Sequence, residues 1–257
     1  MVQMTNDAFS ERQLTSLLAQ SDEQMSPRDK AELLYNSAAT ITRHVITDIS
    51  QETLMEVDSL IGAMVSYLVP NRSAFSTLFS VMLHDFTLYT HSLNVAVYSL
   101  GLAISTGITN HKDLKNLGIA AILHDLGKAK IPDEIISKPS ALSPEEWAVM
   151  RQHPQMGVEL LSKLSGLAGV VSTVVAQHHE RLDGSGYPAG LRGSQLHRFS
   201  TIVALADCYD ALTCERSHRA PLIPFKALSV LKAEVVTAGK LDQTVFAALV
   251  RLLAELC

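Results

Sequence analysis

Apolar residues recur three and four positions apart along most of this chain, and the alternation of a half-buried strand is almost absent. Phe9 to Ala19 reads as a short amphipathic segment, followed by a polar joint from Gln20 to Gln24. Ser26-Pro27 then supplies an N-cap and an N1 proline for a helix running to about Thr47. A further helix is predicted over 52–68 and stops at Pro70. Beyond it the spacing predicts helices near 73–83, 87–106, 112–126, 143–151, 155–164, 167–179, 199–214, 223–237 and 242–256. Ser143-Pro144-Glu145-Glu146 is a capping box, while Gly127 and Pro132 close the helix that carries His124. The pattern predicts an all-α chain. Residues 1–74 form a helical region with a regulatory or packing role, and residues 75–257 form the domain that holds the chemistry. The last two helices carry Val245, Phe246, Leu249, Val250 and Leu253 at helical spacing, which suits a core or partner-packing face.

Composition narrows the choices. The chain has 257 residues, is 47% hydrophobic and only 18% charged, so it can bury a large core and intrinsic disorder is excluded. From Phe86 to His111 there is no Asp, Glu, Lys or Arg. That stretch contains His91, Asn94 and several serines and lacks basic flanks, so it reads as a buried core helix rather than a membrane span. The net charge of -5 and pI of about 6.0 argue against a broad basic face for duplex nucleic acid. Cys208, Cys214 and Cys257 form no CxxC pair and read as small hydrophobes in a reducing compartment. The first residues lack the apolar core of a signal peptide, and the expected location is the cytoplasm.

Ten histidines carry more information. His91 lies mid-helix, His124-Asp125 ends LGIAAILHDLGK, His153 sits in RQHPQMG, His178-His179 closes VVAQHHE, and Asp207 lies in IVALADCYDAL. Buried imidazoles and carboxylates are costly unless paired. Five imidazoles and two carboxylates supply enough donors for two divalent ions, and such nitrogen and oxygen ligands suit Fe, Mn, Zn, Co or Ni. Adjacent residues diverge by about 100° around a helix, so His178 and His179 can meet one ion only near a helix end. The glycine-rich stretch ERLDGSGYPAGLRG, Glu180 to Gly193, follows at once.

The motifs HDLGK, the later HP, HHE and above all HHERLDGSGYP resemble the HD-GYP subgroup of HD-domain metal-dependent phosphohydrolases, over about residues 82–220. The resemblance implies an HD-domain helical bundle with an N-terminal helical extension and added C-terminal helices. It implies a phosphodiesterase that opens cyclic di-GMP to linear pGpG, and on to GMP, through a metal-bridging hydroxide. His91, His124, Asp125 and Asp207 would hold one ion, and His153, His178 and His179 the other, with Asp125 bridging. Iron or manganese is the implied metal, with zinc, nickel and cobalt open. Lys128 would reach a substrate phosphate, Arg216 and Arg219 the dinucleotide, Asp85 the substrate's surroundings, and Tyr187 the pocket wall. Two departures from the family pattern stand out. Thr87 replaces the Glu that serves a third metal, which implies two metals, and Arg216-Ser217-His218-Arg219 replaces RPYR. Rival readings are a non-hydrolysing cyclic-dinucleotide sensor, a module docking a GGDEF-type cyclase, and a phosphohydrolase preferring cGAMP or another nucleotide. A homodimer is also compatible.

Overall fold

Capping chemistry sets several helix starts in the computed structural model, which describes residues 25–82, 87–215 and 220–255. Ser26 and Asp29 exchange side-chain and backbone hydrogen bonds at the head of α1 (Pro27–Thr47). Ser50 and Thr53 do so for α2 (Gln51–Leu68). Next come α3 (Arg72–Val81), α4 (Leu88–Ser105) and α5 (His111–Leu123). A 3-10 turn, Leu126–Lys130, leads into the short α6 (Asp133–Ile136) and the boxed α7 (Pro144–Met150). Then follow α8 (His153–Leu161), α9 (Gly169–Gln177), α10 (Arg198–Thr213), α11 (Pro224–Lys232) and α12 (Gln243–Ala254). The fold is all-α, as the periodicity predicts. Among the described residues the only extended pairing is an isolated bridge between Asp183 and Arg192. The predicted segment Phe9 to Ala19 lies outside the described residues.

Helix α4 is the axis. Leu93, Val95, Ala96, Val97, Leu100, Leu102 and Ala103 are buried on every side of it, which identifies a helix enclosed by protein. No helix among the described residues is long and apolar enough to cross a membrane. Helices α1, α5, α10 and α12 pack against α4, while α2 covers α5. One apolar cluster runs from Leu34 on α1 to Leu252 on α12. Gln51 at the head of α2 also holds Ser165, accepting from its backbone N–H at 3.0 Å and donating to its carbonyl at 3.1 Å. Tyr98 meets Tyr209 edge to face with centroids 5.1 Å apart, which pins α4 to α10 and so sets His91 beside Asp207.

Two elements differ from the sequence reading. Helix α5 ends at Leu123, not near 126, and the chain tightens through a 3-10 turn that carries Lys128. The last predicted turn before residue 238 is a π-helical segment, Ala233–Thr237, instead of α-helix.

Gly127 has a role beyond ending a helix. A Cβ there would lie 1.9 Å from the His153 carbonyl oxygen and 2.6 Å from the Gly157 nitrogen. Its missing side chain is what lets the 3-10 turn after Asp125 press against the head of α8. Gly127→Ala should therefore cost about 1–3 kcal/mol of stability through overpacking. Gly169→Ala, where a Cβ meets nothing within 4 Å, should leave the thermal midpoint unchanged or raised. Parallel calorimetry of the two variants checks the contrast.

Candidate metal centre

A helix end leaves backbone carbonyls without helical partners. Three histidines use this. His124 follows α5, His178 follows α9, and His153 opens α8 just after α7. Each places Nδ1 2.8 Å from the carbonyl three residues back: Ala121, Val175 and Met150 respectively. Nδ1 must carry the proton to donate there, a tautomer assigned from its partner. The Nε2 lone pair of each ring is thereby turned inward.

Those lone pairs converge on one carboxylate. Asp125 Oδ1 lies 3.2 Å from His153 Nε2 and 3.7 Å from His178 Nε2. Asp125 Oδ2 lies 3.4 Å from His124 Nε2 and 3.7 Å from His91 Nε2. The Nε2 atoms of His153 and His178 face each other at 3.2 Å. Two donor groups result, Asp125 with His153, His178 and His179, and Asp125 with His91 and His124. Asp207 touches both, with Oδ1 3.2 Å from His91 Nε2 and Oδ2 4.0 Å from His179 Nδ1. His178 and His179 converge because the helix ends at Gln177, as the 100° divergence requires.

Electrostatics keeps His178, His179, Asp125 and Asp207 in their ligating forms. Burial drives His178 down to about 4, and burial with the neighbouring His178 drives His179 well below its ordinary value, so both rings are neutral at neutral pH. Burial would raise the Asp125 carboxyl, but the Lys128 ammonium and His124 hold it well below the usual range. Asp207 is likewise held low against burial by its hydrogen bond and charge interaction with His91. Burial lowers His91, yet the carboxylates of Asp207 and Asp210 outweigh it and lift the ring to about 9. Such a ring is imidazolium unless another cation takes the place of its Nε2 proton.

The donors fit a divalent ion. His124 Nε2 and Asp125 Oδ1 are buried without a hydrogen-bond partner among the described residues. Leaving such an atom unsatisfied costs about 1–3 kcal/mol each. Opposed lone pairs around a carboxylate repel as well, and a cation between them removes both penalties. Nitrogen and oxygen donors suit first-row divalent metals.

Around these donors stand residues that the sequence reading did not single out. Asp210 accepts from His91 Nδ1–H at 2.7 Å. Its position one turn after Asp207 on α10 was the available signal. Glu180 is buried, and its carboxylate accepts from the backbone N–H of Ala189 at 2.7 Å and Leu191 at 3.0 Å, folding the glycine-rich loop back over the site. Glu180 is the last residue of the HHE motif, which marked the position but not the loop backbone it holds. At Gly186 a Cβ would lie 2.4 Å from Arg181 N, far inside van der Waals contact with backbone, so only glycine lets the loop close. Tyr187 consequently stacks on His179, with centroids 4.7 Å apart, and the exposed Arg151 lies 5.6 Å over its outer face. Lys128 pairs with Asp125. Thr87, at the position of the family glutamate, spends its hydroxyl capping α4 by accepting from Thr90 N at 3.1 Å. Asp85, Arg216 and Arg219 lie outside the described residues.

Residues 82–245 match the model of the HD domain family. The chain is 34% identical over 164 residues to the cyclic di-GMP phosphodiesterase PA4108 of Pseudomonas aeruginosa, covering 63% of this chain and 39% of that protein. It is 37% identical over 159 residues to the 3'3'-cGAMP-specific phosphodiesterase 3 of Vibrio cholerae, covering 62% and 34% respectively. The chain thus spans well under half the length of these relatives. Bd1817, an HDG"Y"P protein from Bdellovibrio bacteriovorus, superposes with a TM-score of 0.79 over 95% of this chain and 78% of its own, at 22% identity, which shows a shared fold. With the family model matched over more than half its length and the GYP loop folded onto the histidines that precede it, this chain belongs to the HD domain family and to its HD-GYP subgroup.

Proposed function

We propose that the chain is a metal-dependent phosphodiesterase that opens cyclic di-GMP to the linear dinucleotide. The observation that carries this reading is the sharing of the Asp125 carboxylate between two groups of buried imidazoles. One oxygen faces each group, which is the arrangement needed to hold two cations close together. His91, His124 and Asp207 would complete one position, and His153, His178 and His179 the other, with iron or manganese as the metals. Bound there, the ions would supply Lewis acidity to a phosphodiester and make water a competent nucleophile near neutral pH.

The chain's own groups do the rest. Lys128 offers a positive charge beside Asp125 that can turn to a non-bridging phosphate oxygen as negative charge develops on it. Tyr187, stacked on His179, walls one side of the site, and the exposed Arg151 over its ring places a positive charge there. Glu180 keeps that wall in place through the loop backbone. Arg216, Arg219 and Asp85 are assigned substrate contacts on their motif positions. Water adds to phosphorus, the bond to the ribose 3′ oxygen breaks, and that oxygen leaves with a proton. The second phosphodiester of the linear product could be cut by the same steps. A cyclic dinucleotide substrate would place this work in the cytoplasm.

A second reading has specific support. A relative at 37% identity is named as 3'3'-cGAMP-specific, and Ser217-His218 departs from the family segment. Protein loaded anaerobically with Fe(II) or Mn(II) should convert cyclic di-GMP to a linear product identified by mass spectrometry. Competition between the two cyclic dinucleotides in one tube should favour cyclic di-GMP. Faster loss of cGAMP would move the assignment to that substrate, and binding without turnover of either would make the chain a sensor. Separately, Asp125→Ala should lose both metal ions and turnover by elemental analysis and product assay. Lys128→Ala should keep its metal while turnover falls about 10²–10³-fold, the usual effect of losing one charge-stabilising donor.

A further inference from the structure

His91 is aimed by a different device from the other rings. His124, His153 and His178 take their acceptors three residues back along their own chain. His91 lies inside α4, where the preceding carbonyls serve the helix, and its own N–H donates to the Thr87 carbonyl. Its acceptor must come from elsewhere in the fold, and Asp210 on α10 provides it.

That carboxylate is itself held. Asp210 Oδ1 accepts the Cys214 thiol at 3.2 Å, Cys214 Sγ accepts from Asn94 Nδ2 at 3.8 Å, and Asn94 Oδ1 accepts the Tyr35 hydroxyl at 2.8 Å. Every member is at most 2% exposed. Each of these three donors points toward Asp210. The chain of bonds begins on α1, 59 residues before Asn94, and ends at Asp210, which on its other oxygen accepts from His91, the ring facing Asp125 and Asp207. A buried carboxylate is tolerated only while both oxygens are satisfied. Weakening the Cys214 end therefore loosens the grip on His91.

We propose that Asp210 is a positioning residue for the metal centre, and that the chain Tyr35–Asn94–Cys214 makes the affinity of the His91–His124–Asp125 position depend on how helix α1 is seated. The inference rests on the reading that this cluster binds metal. It gives the N-terminal helices a route to the site. It also predicts an asymmetry: the position built on His91 answers to tertiary contacts, while the position built on His153 and His178 answers to local turns.

Titration of the full chain with Mn(II), followed by the electron paramagnetic resonance of the free ion, tests it. Wild type should bind two ions. Asp210→Asn should weaken one position about 10–100-fold, as losing a ligand-orienting group does, and leave the other unchanged. Tyr35→Phe should weaken the same position by about 2–30-fold, the range of coupling through packed residues, and should add little on top of Asp210→Asn. Cys214→Ser, which keeps a donor, should behave as wild type, whereas Cys214→Ala should follow Tyr35→Phe. Thermal midpoints are measured alongside. If wild type binds two ions and Tyr35→Phe and Cys214→Ala bind both with wild-type affinity, the inference is overturned. Equal weakening at both positions also overturns it, because a loosened fold would do the same. Should Asp210→Asn not fold, the Tyr35 and Cys214 variants decide alone. A wild-type chain that binds no Mn(II) or Fe(II) would instead sink the proposed function.

Discussion

Repulsion among inward-facing lone pairs is the constraint around which this molecule is built. Asp125 Oδ1 and the Nε2 atoms of His153 and His178 lie 3.2 to 3.7 Å apart with no proton assigned between them. A protein core holds such a group only at a cost, since Asp125 Oδ1 and His124 Nε2 are buried with no hydrogen-bond partner among the described residues. A cation is the simplest resolution, and Lys128 meets part of the need at the other oxygen. The arrangement is stable only because the helices around it cannot move apart.

Much of the surrounding structure can be read as a means of holding that arrangement. Helix ends supply the spare carbonyls that fix three imidazole tautomers. The absence of a Cβ at Gly127 lets the turn after Asp125 approach the backbone that carries His153. Glu180 ties down the loop that brings Tyr187 onto His179. The Tyr98–Tyr209 contact pins the two helices that bring His91 to Asp207 and Asp210. Core packing and site geometry are therefore the same problem here, because α4 is at once the most enclosed helix and the carrier of a ligand candidate.

The N-terminal helices belong to this problem too. Tyr35 on α1 and Leu60, Ile61 and Met64 on α2 are buried in the same apolar cluster as α4 and α5. A change in how these helices sit would be felt at the axis of the fold.

Local chemistry was legible in the amino-acid order. Ser26-Pro27 and Ser143-Pro144 mark helix starts because a cap needs only residues within one turn of itself. The charge-free run from Phe86 to His111 marked α4 as a buried core helix, and the spacing of HD, HP and HHE marked the imidazoles that the fold brings together around Asp125. What tertiary structure decided are the pairings that join distant positions. Asp210 lies 119 residues from the ring it orients, and Cys214 lies 120 from Asn94. The HHE motif contains Glu180 but gives no sign of the loop backbone it holds, and Gly127 looks like a helix stop until α8 arrives beside it. Periodicity reports which face of a helix is buried; it carries no information about which atom of another helix that face will meet.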